Sequence, residues 1–240
     1  MYSKKKRCII MLKKRFMSML LVVSMLMGLG VPCLATQSSD RSPQIISNTA
    51  NERVAEIQEG CMLYQAHFDK HANTMVVRTY QSGTLIEEKF IDLNWALQKE
   101  HSLLANIATP VQSETGFGYL LGEPISDCSA SDELVDNGTY PFHAIRVRNT
   151  SVPTTTQDFR GKVDAMIEHE KNIRNYDSEA TLMLIVGIVT AYLCNYGTAF
   201  TAAVSAVGAS IESQNEADEL AKKANSCAQD FAIMYSNRVK

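Results

Sequence analysis

Five histidines and six cysteines are the side chains of this 240-residue chain best suited to metal or nucleophilic chemistry. His67 and His71 stand four apart, a spacing that brings two imidazoles to one metal along a helix face. They fall instead where β-branched and turn residues predict a strand and its turn. His101 and His143 are isolated, and His169 lies between Glu168 and Glu170 on a helical stretch, where an exposed position is expected. No metal site and no cofactor is expected from this pattern. The chain has no nucleophile elbow, P-loop, dinucleotide fingerprint or zincin motif. Its aspartates and glutamates are too scattered to nominate an acid/base pair, so an enzyme is not expected.

The elements that would carry any such chemistry begin with an address. Lys4, Lys5, Lys6, Arg7, Lys13, Lys14 and Arg15 form a basic start, residues 16–31 are free of charge, and Pro32-Cys33-Leu34-Ala35 ends the stretch. A basic region, a short apolar core and a small residue describe a secretory signal peptide, here with cleavage after Ala35. An uncleaved membrane anchor is the alternative. Without residues 1–35 the chain keeps 16 Lys+Arg against 26 Asp+Glu, a net charge of −10. Such a chain repels nucleic acid, which is therefore not expected as a partner.

Four cysteines then remain, Cys61, Cys128, Cys194 and Cys227, at separations of 67, 66 and 33 residues that match no zinc motif. An even number in an exported chain points to disulfides, with three pairings open. Cys194–Cys227 with Cys61–Cys128 is favoured, because a helical hairpin turning near Gly197 and bending again near 212–214 returns Cys227 to the height of Cys194. Free thiols, common in Gram-positive exported proteins, are the alternative.

The fold expected is α+β, an N-terminal antiparallel β-meander with a short covering helix followed by a C-terminal α-helical hairpin or bundle. Residues 36–50 read as a flexible leader and 51–150 as a β-rich module, with one or two helical turns at 51–58 and strands over 61–68, 74–80 and 84–93. Trp95, Leu97, Leu103, Leu104 and Ile107 mark the covering helix, with Trp95 in the core. Residues 151–157, with Pro153 and three threonines, read as a linker to a helical region over 158–240. There Val163, Met166, Ile167, Glu170 and Ile173 form one apolar-spaced face, and Ala217, Leu220, Ala221, Ala224, Cys227, Ala228, Phe231 and Met234 form another.

Between those faces, residues 180–211 contain no Asp, Glu, Lys, Arg or His, and Glu179 and Glu212 bracket the run. Three readings compete. A transmembrane helix has the length but the wrong flank, since Glu212, Glu216, Asp218 and Glu219 precede Lys222 and Lys223. Two helices buried in a water-soluble bundle satisfy the rule that an all-round apolar helix needs a core or a membrane. The leading reading is a hairpin turning at Asn195, Tyr196 and Gly197, sheltered in the soluble form and released into a membrane. Its inserting residues are Leu182, Leu184, Ile185, Val186, Ile188 and Val189 in one arm and Phe200, Val204 and Val207 in the other.

The basic signal, the β-containing first half and the Gly/Ala-rich run 180–211 with the acidic helix 212–235 resemble the geobacillin-type family of exported bacillary bacteriocins. The resemblance covers mainly the last 85 residues or so. It implies a large, unmodified, heat-labile antibacterial protein, released by its producer to kill related bacteria at their membrane. The implied partners are the target bacterial membrane, a protein receptor on it and an immunity protein in the producer. The charge of −10 departs from cationic membrane-active bacteriocins and shifts weight to a receptor. A membrane-anchored cell-envelope protein with an extracellular binding module is the alternative. Fractionation of the producing culture is expected to recover protein in the supernatant with Thr36 as its first residue; protein that resists alkaline extraction from the producer's membranes supports the anchor instead.

Overall fold

The computed structural model describes residues 42–97, 111–121, 132–137, 144–148, 151–193 and 196–238. Five strands, β1 (Gln44–Asn48), β2 (Glu52–Glu59), β3 (Met62–Asp69), β4 (Thr74–Gln81) and β5 (Thr84–Asp92), form an antiparallel meander in sequence order. Tight turns hold their register. Gly60 has φ 61° between β2 and β3, and Ser82 and Gly83 have φ 50° and 81° between β4 and β5, the paired positive values that suit a twisted hairpin. Asp69 accepts from the backbone N–H groups of His71 (2.8 Å) and Ala72 (2.9 Å) and so closes the β3–β4 turn.

Alternation then divides the sheet into two faces. Ala55, Ile57, Ala66, Phe68, Met75, Val77 and Ile91 are buried on the inner one. The outer face carries a polar ladder, in which Gln65 donates to Glu56 (2.5 Å) and Arg78 pairs with Glu88 (2.6 Å). Phe90, 64% exposed, stands beside that ladder on the edge strand.

A one-turn helix, α1 (Asn94–Leu97), follows the sheet. A second antiparallel sheet consists of β6 (Val111–Gln112), β7 (Phe117–Leu121), β8 (Asp132–Asn137) and β9 (Ala144–Arg148). Four helices complete the described chain: α2 (Pro153–Tyr176), α3 (Glu179–Ala191), α4 (Thr198–Ala206) and α5 (Ile211–Ser236). They stack in layers. The inner face of the meander packs on α4, with α3 at its β5 edge, and α2 and α5 pack along each other beyond them. The second sheet lies against α2 and α5 on their far side, where Phe117 meets Phe159 edge-on at 6.2 Å. Tyr119 donates to Asp164 across the same contact, at 2.9 Å.

The α+β class and the meander agree with expectation, and several boundaries do not. Residues 44–48 of the expected leader are a strand, because β1 satisfies its backbone by pairing with β2. Residues 51–58, expected as one or two helical turns, fall from Glu52 onward in β2, which pairs along its whole length with β3, so cross-strand context overrides the helix-forming Ala and Glu. The expected linker opens α2 instead, with Pro153 in the first turn, where its missing N–H costs nothing. Trp95 is 46% exposed and not a core residue; Leu93 and Ala96 are the side chains of this stretch that point inward. Leu103, Leu104 and Ile107 lie outside the described residues.

One buried acid joins the second sheet to the helices. Glu170, on the apolar face of α2, accepts from Ser113 Oγ (2.5 Å) and from the backbone N–H of Glu114 (2.9 Å) through a single oxygen. Burial pushes its pKa up to about 7; the two donors offset part of that rise, and the charge of Glu114 adds to it. The folded state thus binds this proton more tightly than the unfolded chain does. Its contribution to stability is complete below 4.5, the ordinary value of a glutamate in the unfolded chain, and is lost as pH rises through about 7. Glu170→Gln keeps the accepting oxygen and removes the titration. Chemical denaturation is expected to show the variant gaining on the parent between pH 5 and 8.5, by up to about 3 kcal/mol.

Candidate functional site

The charge-free run folds as a helical hairpin. Every residue from 182 to 189 in α3 is buried, which brings Leu182, Leu184, Ile185, Val186, Ile188 and Val189 into one core. In α4 Phe200 and Val204 are buried, and Val207, just beyond it, is partly buried. Tyr196 and Gly197 stand between the two helices as expected, while Asn195 lies outside the described residues. The arms are short: 13 and 9 residues, about 20 and 14 Å at 1.5 Å per residue, against a hydrocarbon core of about 30 Å. Among the described residues, no helix is long and apolar enough to cross a membrane.

Polar contacts pin the hairpin at both ends. At its base, Asp177, the residue that ends α2, accepts from Ser210 N and Ser210 Oγ, both at 2.9 Å. Burial pushes the Asp177 carboxyl up, but the hydrogen bonds from the Ser210 N–H and hydroxyl help to outweigh that, and it lies below the usual range. The Ser210 hydroxyl also accepts from Ser213 N at 3.2 Å and so caps α5. At the turn, Thr198 Oγ1 donates to Glu59 of β2 at 2.8 Å. Lys89 of β5 donates to the Ala191 carbonyl at the C-terminal end of α3, where a cation suits the helix dipole. The same ammonium lies 3.9 Å from the centre of the Tyr192 ring.

Over the turn lies a cleft of about 250 Å³ between β3–β5 and the start of α4. Tyr64, Tyr192 and Tyr196 supply its aromatic wall, and Glu87 and Lys89 its charged side chains among the described residues. Burial lowers the Lys89 pKa, and the charge of Glu87 opposes the shift. Burial raises that of Tyr64, helped by the charges of Glu59, Cys61 and Glu87. Sequence reasoning missed this cleft, since its residues come from three strands and a helix turn. The lone signal was Glu87-Glu88-Lys89 in the middle of an apolar strand.

The remaining candidates separate. His67 pairs with Glu52 on the outer sheet face (2.7 Å), and His169, expected to be exposed, is partly buried and bonded to Glu216 (2.6 Å). Among the described residues no group of His, Cys, Asp and Glu is placed to hold a metal. Cys227 is buried between α5 and α2, its Sγ 4.0 Å from the Phe159 carbonyl, and burial pushes its thiol up to about 12. Cys128 and Cys194, and with them both favoured pairings, lie outside the described residues. Comparison of the chain with protein-family models, curated proteins and solved structures finds no match.

Close packing of α3 is measurable at Gly187. A Cβ there meets Leu93 Cδ2 at 2.7 Å and Ala96 Cβ at 3.2 Å, whereas one at Gly161, on α2, meets nothing within 4 Å. Helix propensity favours Ala over Gly by about 1 kcal/mol at both sites. Gly161→Ala is therefore expected to raise the denaturation midpoint, and Gly187→Ala to lower it because overpacking costs about 1–3 kcal/mol.

Proposed function

We propose that the chain is an exported antibacterial protein that acts at the target-cell membrane through the α3–α4 hairpin. A protein receptor brings the acidic chain to the target, and an immunity protein protects the producer. The observation that carries this reading is that α3 is apolar on every side and yet enclosed, between the meander and α1 on one flank and the α2–α5 pair on the other. In water that surface demands cover; in lipid it demands none. The arms lie below spanning length, but the whole run 180–211 is uncharged, so either helix can lengthen without placing a charge in hydrocarbon. The meander shields the hairpin with its inner face. Its outer face, where Phe90 is exposed, favours the second reading, an extracellular binding module on an anchored envelope protein.

Substitution of Val186 or Val204 by Asp is a poor test, since both are buried and the protein is expected to unfold. A reversible lock is better. Gly187→Cys with Ala96→Cys places two Cβ atoms at about 3.2 Å, a few tenths of an ångström from disulfide geometry, and ties α3 to α1. The oxidised double variant is expected to stay folded and to lose killing of sensitive cells at least about tenfold, with recovery on mild reduction. Each single-cysteine variant serves as control. Locked protein that kills as well as the controls rules out hairpin release.

A further inference from the structure

The cleft over the hairpin turn has a chemistry of its own that does not depend on the membrane reading. Its wall of Tyr64, Tyr192 and Tyr196 is the kind of surface whose ring faces attract cations. One of these rings already holds one: the Lys89 ammonium sits 3.9 Å from the Tyr192 centroid, with the Ala191 carbonyl as its hydrogen-bond acceptor. The electrostatics of the cleft favour the same sign. Glu87 lines it, Glu59 stands close enough for both carboxylates to act on the Tyr64 hydroxyl, and Lys89 is the only cation lining it among the described residues. An anion is disfavoured, because Glu59 already takes the place a free anion would seek at the start of α4, through its bond with Thr198.

We infer that this cleft binds an organic ammonium cation, with the tyrosine rings of Tyr64, Tyr192 and Tyr196 as its walls and Glu87 as its counter-charge. A volume of about 250 Å³ admits a quaternary ammonium head group. Lys89 is the internal occupant of the Tyr192 face and competes with the ligand for it. A bound cation touches β5 and the hairpin turn together, so it stabilises the closed arrangement of sheet and hairpin by mass action.

Titration calorimetry with choline on the full exported chain tests this directly, with the neutral isostere carrying carbon in place of the quaternary nitrogen as reference. Saturable binding of choline is expected, with the isostere at least about tenfold weaker, the ratio that a partly desolvated cation–π contact supplies. Glu87→Gln alters an exposed side chain and is expected to weaken choline at least about fivefold without changing the melting temperature of the free protein. Lys89→Ala is expected to tighten it by freeing the Tyr192 face. No saturable binding, equal affinity for choline and isostere, or full affinity in Glu87→Gln each overturns the inference. Because the readout is binding and not killing, it stands or falls separately from the proposed antibacterial activity.

Discussion

A helix that is apolar on every side must be covered on every side, and α3 imposes that demand on the rest of the chain. Eight consecutive buried residues leave no face for water. Each fully buried Leu, Ile, Val or Met side chain contributes about 1.5–3 kcal/mol through the hydrophobic effect, provided both flanks are closed. The meander, α4 and α1 close one flank, and α2 and α5 the other. The expected division into a β-rich module and a helical region is thereby erased as a physical boundary. Strand residues such as Ala66 and Val77 and helix residues such as Ile185 and Leu220 belong to one core. The close approach of Leu93 to Gly187 shows how tightly the halves are fitted.

Polar groups are confined to the margins of that core, and they set its register. Asp177 ties the base of the hairpin to the start of α5, while Lys89 and Glu59 tie its turn to the sheet. These groups are partly buried and every one has a partner, as burial of charge requires. Glu170 is the exception in depth, a carboxyl held inside the α2 contact with the second sheet by two donors to one oxygen. A hydrophobic interior specifies that the layers meet; the clamps specify where.

The same absence of charge that makes the hairpin a good core makes it compatible with lipid, and this double suitability underlies the functional reading. The cleft over the turn joins the two themes, since β5, which supplies Glu87 and Lys89, also contacts α3. Any ligand that rests there bears on the sheet and on the hairpin at once.

Periodicity and punctuation carry much of the fold in the sequence itself. The β3–β5 alternation, the turn residues Asp69 and Ser82-Gly83, and the apolar faces of α2 and α5 are legible because each is a local pattern. The hairpin turn at Tyr196-Gly197 is legible for the same reason, and even Glu170 was visible as an acid within an apolar face. Other features depend on partners distant in the chain. Glu52–Glu59 is a strand because Met62–Asp69 pairs with it, and Trp95 is exposed while its neighbours Leu93 and Ala96 pack over Gly187. The cleft and the clamps join residues up to 139 positions apart, as Thr198 and Glu59 are. Local sequence decides which residues seek burial or turn the chain; only the tertiary structure decides which surfaces bury them, because burial is a property of the surfaces that meet and not of the segment alone.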